Sequence, residues 1–265
     1  MPLSDIQRLI LQKLAQNRDP GSFLAGATVL HRSRKSPRYS QDIDFFQDVA
    51  DRVAECAEID AATLKEDGME VEWLLRTPAF HRALVEFKGQ KLRIEWAHDS
   101  AFRFFPIQKD EVCGYRLHEI DAAVNKVLAL AGRSEARDYV DTIYLHHNLL
   151  TLGSLIWAAC GKDPGYTPEL LLSQCQRHSR YTQADLDRLQ LATPLDVTAL
   201  KQEWLKAVEE AKEHLAALPL EDLGCLYLDA DGRVITPNPA AEEFTSFTRH
   251  WGSVGGVWPT IERVE

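Results

Sequence analysis

The sequence predicts an α+β (α/β) protein, with a mixed sheet in its first half followed by a mainly helical C-terminal region. Three observations carry that expectation. Residues 69–76, 80–87 and 91–97 are strand-like runs, and the turn Lys88-Gly89-Gln90 makes the last two an antiparallel hairpin. From Leu117 onward the apolar period becomes helical, with Ile120, Val124, Val127, Leu128 and Ala131 on one face. Near the end, residues 225–228 and 233–235 flank Asp229-Ala230-Asp231-Gly232, a hairpin signature. A length of 265 residues allows two domains. We expect an α/β domain over residues 1–150 and a helical domain with a terminal β-hairpin over 151–265.

The elements follow in order. Leu3, Ile6, Leu9, Ile10 and Leu14 keep a helical period that ends at Asn17-Arg18-Asp19-Pro20-Gly21. Residues 22–25 read as a short strand, and a turn at Gly26 opens a helix over 28–31. Residues 33–38 read as loop and 42–46 as strand. Helices are expected over 48–58 and 60–66, ahead of the three strands. Gly132 ends the helix that begins near 117, and Ser134 offers an N-cap for the next, which runs to about 150. Further helices are expected over 152–160, 167–178, 182–190 and 195–218. Phe244, Trp251 and Trp258 are expected to pack the tail against the helical half.

Composition excludes several classes. The longest apolar run, residues 148–161, is broken by Gly153 and Ser154 and is too short to span a bilayer. The first residues carry no basic n-region with an apolar stretch behind it. Five scattered cysteines with no Cys-x-x-Cys spacing suit reduced thiols, so a cytoplasmic location is expected. A net charge of −10 argues against broad, non-specific nucleic-acid binding. Arg32, Arg34, Lys35 and Arg38 form a local basic run, read either as a rim beside a phosphate site or as a solvated loop. The histidines show no zinc spacing, and Asp229-Ala230-Asp231-Gly232 lacks the later Glu of a calcium loop.

The chemistry-bearing residues concentrate around Asp42-Ile43-Asp44-Phe45-Phe46. Two carboxylates two apart in a strand leave the same face and repel unless a cation neutralises them. Hard divalent ions such as Mg²⁺ take such oxygen ligands. The bland reading is a strand end whose acids face water. Gly26-Ala27-Thr28 lies upstream, where backbone N–H groups can approach a phosphate, and Ser40 can cap the turn or touch a phosphate. Two-ion phosphoryl transfer needs another carboxylate nearby, and Glu95 is the candidate, with Ile94 facing the opposite, buried side. A surface-facing Glu95 is the competing reading. Asp138 and Asp141 share one helix face, and a fold-back would bring Lys126 to Asp141. That pair is read either as a point-charge clamp for a triphosphate or as an ordinary inter-helix ion pair.

In order and spacing, these residues resemble the AbiEii/AbiGii toxin family, relatives of the minimal DNA-polymerase-β-like nucleotidyltransferases. The family pattern is a strand ending in Gly-Gly-Thr/Ser, a helix, and His-Arg-x-Ser-x-Asp-Ile/Leu-Asp-Phe. Here it is matched by Gly26-Ala27-Thr28 and Arg38-Tyr39-Ser40-Gln41-Asp42-Ile43-Asp44-Phe45. Downstream, the family's Lys helix, Arg and Lys/Arg-Asp-Tyr-x-Asp helix are matched by Lys126, Arg133 and Arg137-Asp138-Tyr139-Val140-Asp141. The resemblance covers roughly residues 20–150.

It implies a nucleotidyltransferase fold that uses Mg²⁺ (or Mn²⁺) to move a nucleotide from an NTP to an RNA, protein or small-molecule acceptor, often with an antitoxin partner. It implies metal binding by Asp42 and Asp44, with Glu95 as a further ligand. Phosphate contacts would come from Gly26, Ala27, Thr28, Arg38 and Ser40, and Lys126 and Asp141 would complete the site. Ala27 replaces the family's second glycine, and its Cβ would crowd a triphosphate or forbid a positive φ. That departure sustains an alternative, a catalytically weak or inactive binding or regulatory protein on the same fold.

Overall fold

The computed structural model describes residues 3–31, 36–177 and 179–260. The basic residues Arg32, Arg34 and Lys35, and also His178, lie outside the described residues. The chain divides into two compact units, residues 1–101 with 106–122, and residues 102–105 with 123–265. The expected boundary at 150 therefore falls inside the second unit. The helices after residue 122 bury their apolar faces among later helices: Cys175 Sγ reaches the Val127 carbonyl at 3.7 Å, and Tyr139 packs on Tyr181 and Trp204.

In the first unit, α1 (Asp5–Leu14) starts with a capping box. Ser4 accepts from the Gln7 backbone N–H while Gln7 accepts from that of Ser4. Then come β1 (Ser22–Ala25), α2 (Gly26–Leu30), β2 (Asp42–Gln47), α3 (Arg52–Glu66), β3 (Glu70–Thr77), β4 (Phe80–Phe87) and β5 (Gln90–His98). The short β6 (Phe102–Arg103) belongs to the second unit, and β7 (Gln108–Asp110) and β8 (Gly114–Arg116) return to the first. All of these except β6 form one seven-stranded sheet in the order β3-β4-β5-β2-β1-β8-β7. β2 runs parallel to β5 and β1 to β8, and the other neighbours are antiparallel, so the sheet is mixed.

Alternation along the central strands sorts the side chains between two faces. Ile43, Phe45, Ala83, Val85, Ile94 and Trp96 are wholly buried, together with Ile10, Leu11 and Leu14 of α1 and Ala57, Ala61 and Leu64 of α3. The intervening positions, Asp42, Asp44, Arg82, Arg93 and Glu95, share the opposite face. The β4–β5 hairpin turns where expected, with Lys88 and Gly89 both at positive φ (51° and 77°), as a two-residue primed turn requires.

α3 is one helix, not the two expected, and its N-terminus lies at Arg52. The second expected helix begins at Asp60. Instead it is a buried mid-helix carboxylate, bonded to Arg18, to Asn17 Nδ2 at 3.0 Å and to Trp96 Nε1 at 2.7 Å. Burial pushes its carboxyl above the usual range even with the Arg18 guanidinium pulling the other way.

The second unit takes over along α4 (Glu119–Gly132) and continues with α5 (Ala136–Asn148), α6 (Leu152–Lys162), α7 (Pro168–Arg177), α8 (Gln183–Asp187) and α9 (Val197–Ala217). Ser134 is not the cap of α5: the cap position is Glu135, which makes no side-chain cap bond. α8 is shorter than expected, while Asp196 caps α9 by accepting from the Ala199 N–H at 2.7 Å. Every residue of α6 from Leu152 to Cys160 is buried, which marks it as the central helix of this unit.

β9 (Cys225–Leu228) and β10 (Val234–Ile235) form the expected hairpin, in which the Asp229 carboxylate accepts from the Asp231 and Arg233 N–H groups. β11 (Thr248–Trp251) adds a third strand on β9, and β12 (Ser253–Val254) pairs with β6. Among the C-terminal aromatics, Phe244 lies against Tyr227 of β9 and Trp258 against Phe105, both as tilted ring pairs. All five cysteines are buried, and burial pushes the thiols of Cys160, Cys175 and Cys225 up to about 12. No helix among the described residues is long and apolar enough to cross a membrane.

Candidate active site

The carboxylates at 42 and 44 are placed by two neighbouring strands. β1 pairs with β2 so that Ala25 faces Asp44, and Gly26 begins the turn into α2. Gly26 has φ +64°, and a Cβ there would stand 2.7 Å from Asp44 Cγ and closer still to Oδ2. Only glycine meets both demands, a left-handed backbone and contact with a carboxylate. Ala27, by contrast, lies within α2, and Lys88 is the sole non-glycine at positive φ among the described residues. Ala27 is therefore not asked for a conformation that only glycine adopts.

Thr28 and Ser40 brace the start of β2. Thr28 Oγ1 donates to the Asp42 carbonyl at 2.8 Å and lies 3.0 Å from Ser40 Oγ, which itself stands 3.0 Å from the same carbonyl. Gln7 Nε2 holds the Ser40 carbonyl at 2.9 Å. Arg38 is buried, with Nη1 3.2 Å from the Tyr39 carbonyl and its own carbonyl accepting from Ser36 Oγ at 3.0 Å. The small polar residues of this segment thus shape the approach to the two aspartates.

β5 lies directly beside β2, with Asp42 opposite Arg93 and Asp44 opposite Glu95. Ile94 faces the core as expected. Glu95 is engaged by two guanidinium groups, Arg82 Nε at 2.8 Å and Arg93 Nε at 3.4 Å. Arg93 Nη2 also donates to Asp42 Oδ2 at 2.6 Å, a bond that raises the already high pKa of this guanidinium. Arg93 and Arg82 were not singled out from the sequence. The signal was present, since Arg93-Ile94-Glu95 alternates in step with Asp42-Ile43-Asp44.

Asp42 and Asp44 are hard oxygen donors on one face beside a glycine turn, which fits a divalent cation. Among the described residues, no three Asp, Glu, His or Cys side chains gather closely enough to hold an ion. The fit therefore rests on the aspartate pair, and Glu95 is spoken for by arginines.

Lys126 and Asp141 belong to the second unit. α4 and α5 fold back as expected, so that Lys126 Nζ lies 3.1 Å from Asp141 Oδ2 and 2.7 Å from Asp138 Oδ1. The nearer partner, Asp138, also accepts from Arg133 Nε at 2.7 Å. Burial pushes the Asp138 carboxyl up, but Lys126 and Arg133 outweigh it and hold the group below the usual carboxylate range. Lys126 is 7 % exposed and both aspartates are buried, so the ammonium is fixed and not floating on a surface.

A mixed sheet that carries a glycine turn and an Asp-x-Asp strand on its central pair has the architecture of the nucleotidyltransferases. MenT4, a nucleotidyltransferase toxin of Mycobacterium tuberculosis H37Rv, aligns with a TM-score of 0.57 at 18 % identity over 82 % of this chain and 83 % of its own. JHP933 from Helicobacter pylori aligns with a TM-score of 0.50 at 18 % identity over 81 % of this chain and 95 % of its own. No curated protein matches by sequence. Residues 10–222 match the family described as "Nucleotidyl transferase AbiEii toxin, Type IV TA system", and the chain belongs to this family.

Proposed function

We propose that the chain is a Mg²⁺-dependent nucleotidyltransferase that moves a nucleotide from an NTP to an RNA, protein or small-molecule acceptor. In this reading it is the toxin of a toxin–antitoxin pair, and it works in the cytoplasm, where NTP is supplied. The observation that carries it is the Asp42–Asp44 pair held on one sheet face against the Gly26 turn.

The reaction is an in-line displacement: an acceptor oxygen bonds to the α-phosphorus, the bond to the pyrophosphate oxygen breaks, and the acceptor's proton passes to solvent or a nearby base. Mg²⁺ (or Mn²⁺), when bound, would neutralise phosphate oxygens and the leaving pyrophosphate. Asp42 and Asp44 would hold it. Gly26 lets the backbone come close to phosphate, while Thr28 and Ser40 hold β2 in register for it. Arg38 adds a cation to this segment. Lys126, clamped by Asp138 and Asp141, holds an ammonium at a fixed position within the second unit.

The test is transfer of label from α-labelled NTP to cell RNA, protein and small-molecule fractions. Asp42→Ala and Asp44→Ala should abolish it while circular dichroism stays unchanged. Equal transfer by the doubly substituted chain would refute the mechanism. A second reading, a weakly active or inactive binding protein on this fold, draws on the guanidinium already bonded to Asp42. Calorimetry with each NTP and Mg²⁺ separates the two, since absence of heat with every nucleotide favours the second.

A further inference from the structure

Asp42 and Glu95 do not face each other as bare carboxylates. The Arg93 guanidinium runs from one to the other, with Nη2 2.6 Å from Asp42 Oδ2 and Nε 3.4 Å from Glu95 Oε1. Arg82 Nε holds the same Glu95 oxygen, Oε1, at 2.8 Å. This arrangement is built into the strand register: Asp42 opposes Arg93, Asp44 opposes Glu95, and Arg82 opposes Glu95 from β4. The carboxylate end is enclosed, since the Asp42 and Glu95 side chains are 8 % and 16 % exposed.

When two divalent ions sit roughly 3.5–4 Å apart, they share carboxylates between them. A carboxylate bridges two ions through both of its oxygens, so a cation of the chain held on one of them competes for that place. Here the cation spanning Asp42 and Glu95 is part of the chain, and a guanidinium does not lose its proton in proteins. Its planar fork suits two carboxylate partners better than a lysine ammonium would. Consistent with this, no three carboxylates among the described residues close into an ion cage.

We infer that this site takes a single divalent ion, on the Asp42–Asp44 pair, and that Arg93 supplies the second positive charge as a fixed counter-cation. Glu95 then holds Arg93 and is not a metal ligand. Arg93 acts here as a positioning residue: it sets the Asp42 carboxylate and limits the site to one ion. The inference rests on the nucleotidyltransferase reading for its meaning, but its own content is an ion count.

That count is measurable by electron paramagnetic resonance with Mn²⁺ alone on the full chain, without turnover. The wild type should bind one Mn²⁺. Arg93→Met should bind Mn²⁺ at least about tenfold more tightly, or admit a second ion, because removing a nearby fixed cation lifts its repulsion. Arg93→Lys should keep the count at one, and Glu95→Gln should also leave the count at one. If Arg93→Met fails to fold by circular dichroism, the wild-type and Glu95→Gln counts still decide. Two ions in the wild type, loss of an ion in Glu95→Gln, or unchanged binding in a folded Arg93→Met would each overturn the inference. Two ions with intact label transfer would leave the transferase reading standing, whereas no bound Mn²⁺ and no transfer would remove both.

Discussion

A Cβ at Gly26 would collide with the Asp44 carboxylate, so position 26 has no room for a side chain, and its backbone is left-handed as well. Two independent constraints therefore meet at one residue, on the link between strand geometry and the acid it carries.

Gly26→Ala is expected to cost about 1–2 kcal/mol for the left-handed backbone alone. It should also push the Asp44 carboxylate out of place. Urea unfolding should report the first effect and Mn²⁺ titration the second. A stable Gly26→Ala chain with full Mn²⁺ affinity would contradict this account.

Asp60 is expected to matter for the first unit more than any surface acid. Asp60→Ala leaves Arg18 buried without its carboxylate and breaks the bond from Trp96, and removing one partner of a buried pair costs about 3–5 kcal/mol. The double substitution Arg18→Met with Asp60→Leu should recover much of that loss, because no uncompensated charge remains. Denaturant midpoints for the single and double variants settle the matter.

Lys126→Met should destabilise the second unit by a similar amount, about 3–5 kcal/mol, since Asp138 and Asp141 would then face each other buried with less positive charge between them. Lys126→Arg should fold better than Lys126→Met. If the two melt alike, the clamp is not electrostatic.

Asp138 also makes a pH prediction. Its folded pKa is lowered, so its contribution to stability is fully present above the ordinary aspartate value of about 3.9 and is lost as pH falls from there through the lowered folded value. The melting-temperature gap between wild type and Asp138→Asn should therefore be widest near neutrality and close below about pH 4. A gap that stays constant from pH 7 to 3 would show that the charge contributes nothing.

The elements that were legible in advance were the long, periodic ones. Alternation announced the three strands, the hairpin of the last two and the buried side of Ile94, and the helical period announced α4 through α9 within a few residues. The order of Gly26, Asp42, Asp44, Lys126 and Asp141 was enough to point to the family. The two- and three-residue strands β6, β7, β8 and β12 were not legible, because pairing partners define such strands and a short run carries no period.

The amino-acid order by itself determined which side chains could share a strand face or a helix face, since periods of two and 3.6 residues are properties of the local backbone. Only the tertiary structure decided what those faces meet. The parallel register of β2 on β5 sets Arg93 beside Asp42, the fold-back of α5 on α4 gives Lys126 a second aspartate, and the core of α3 turns an apparent helix start, Asp60, into a buried ion pair. Charge partners distant in the chain are chosen by packing, and packing is a property of the whole fold.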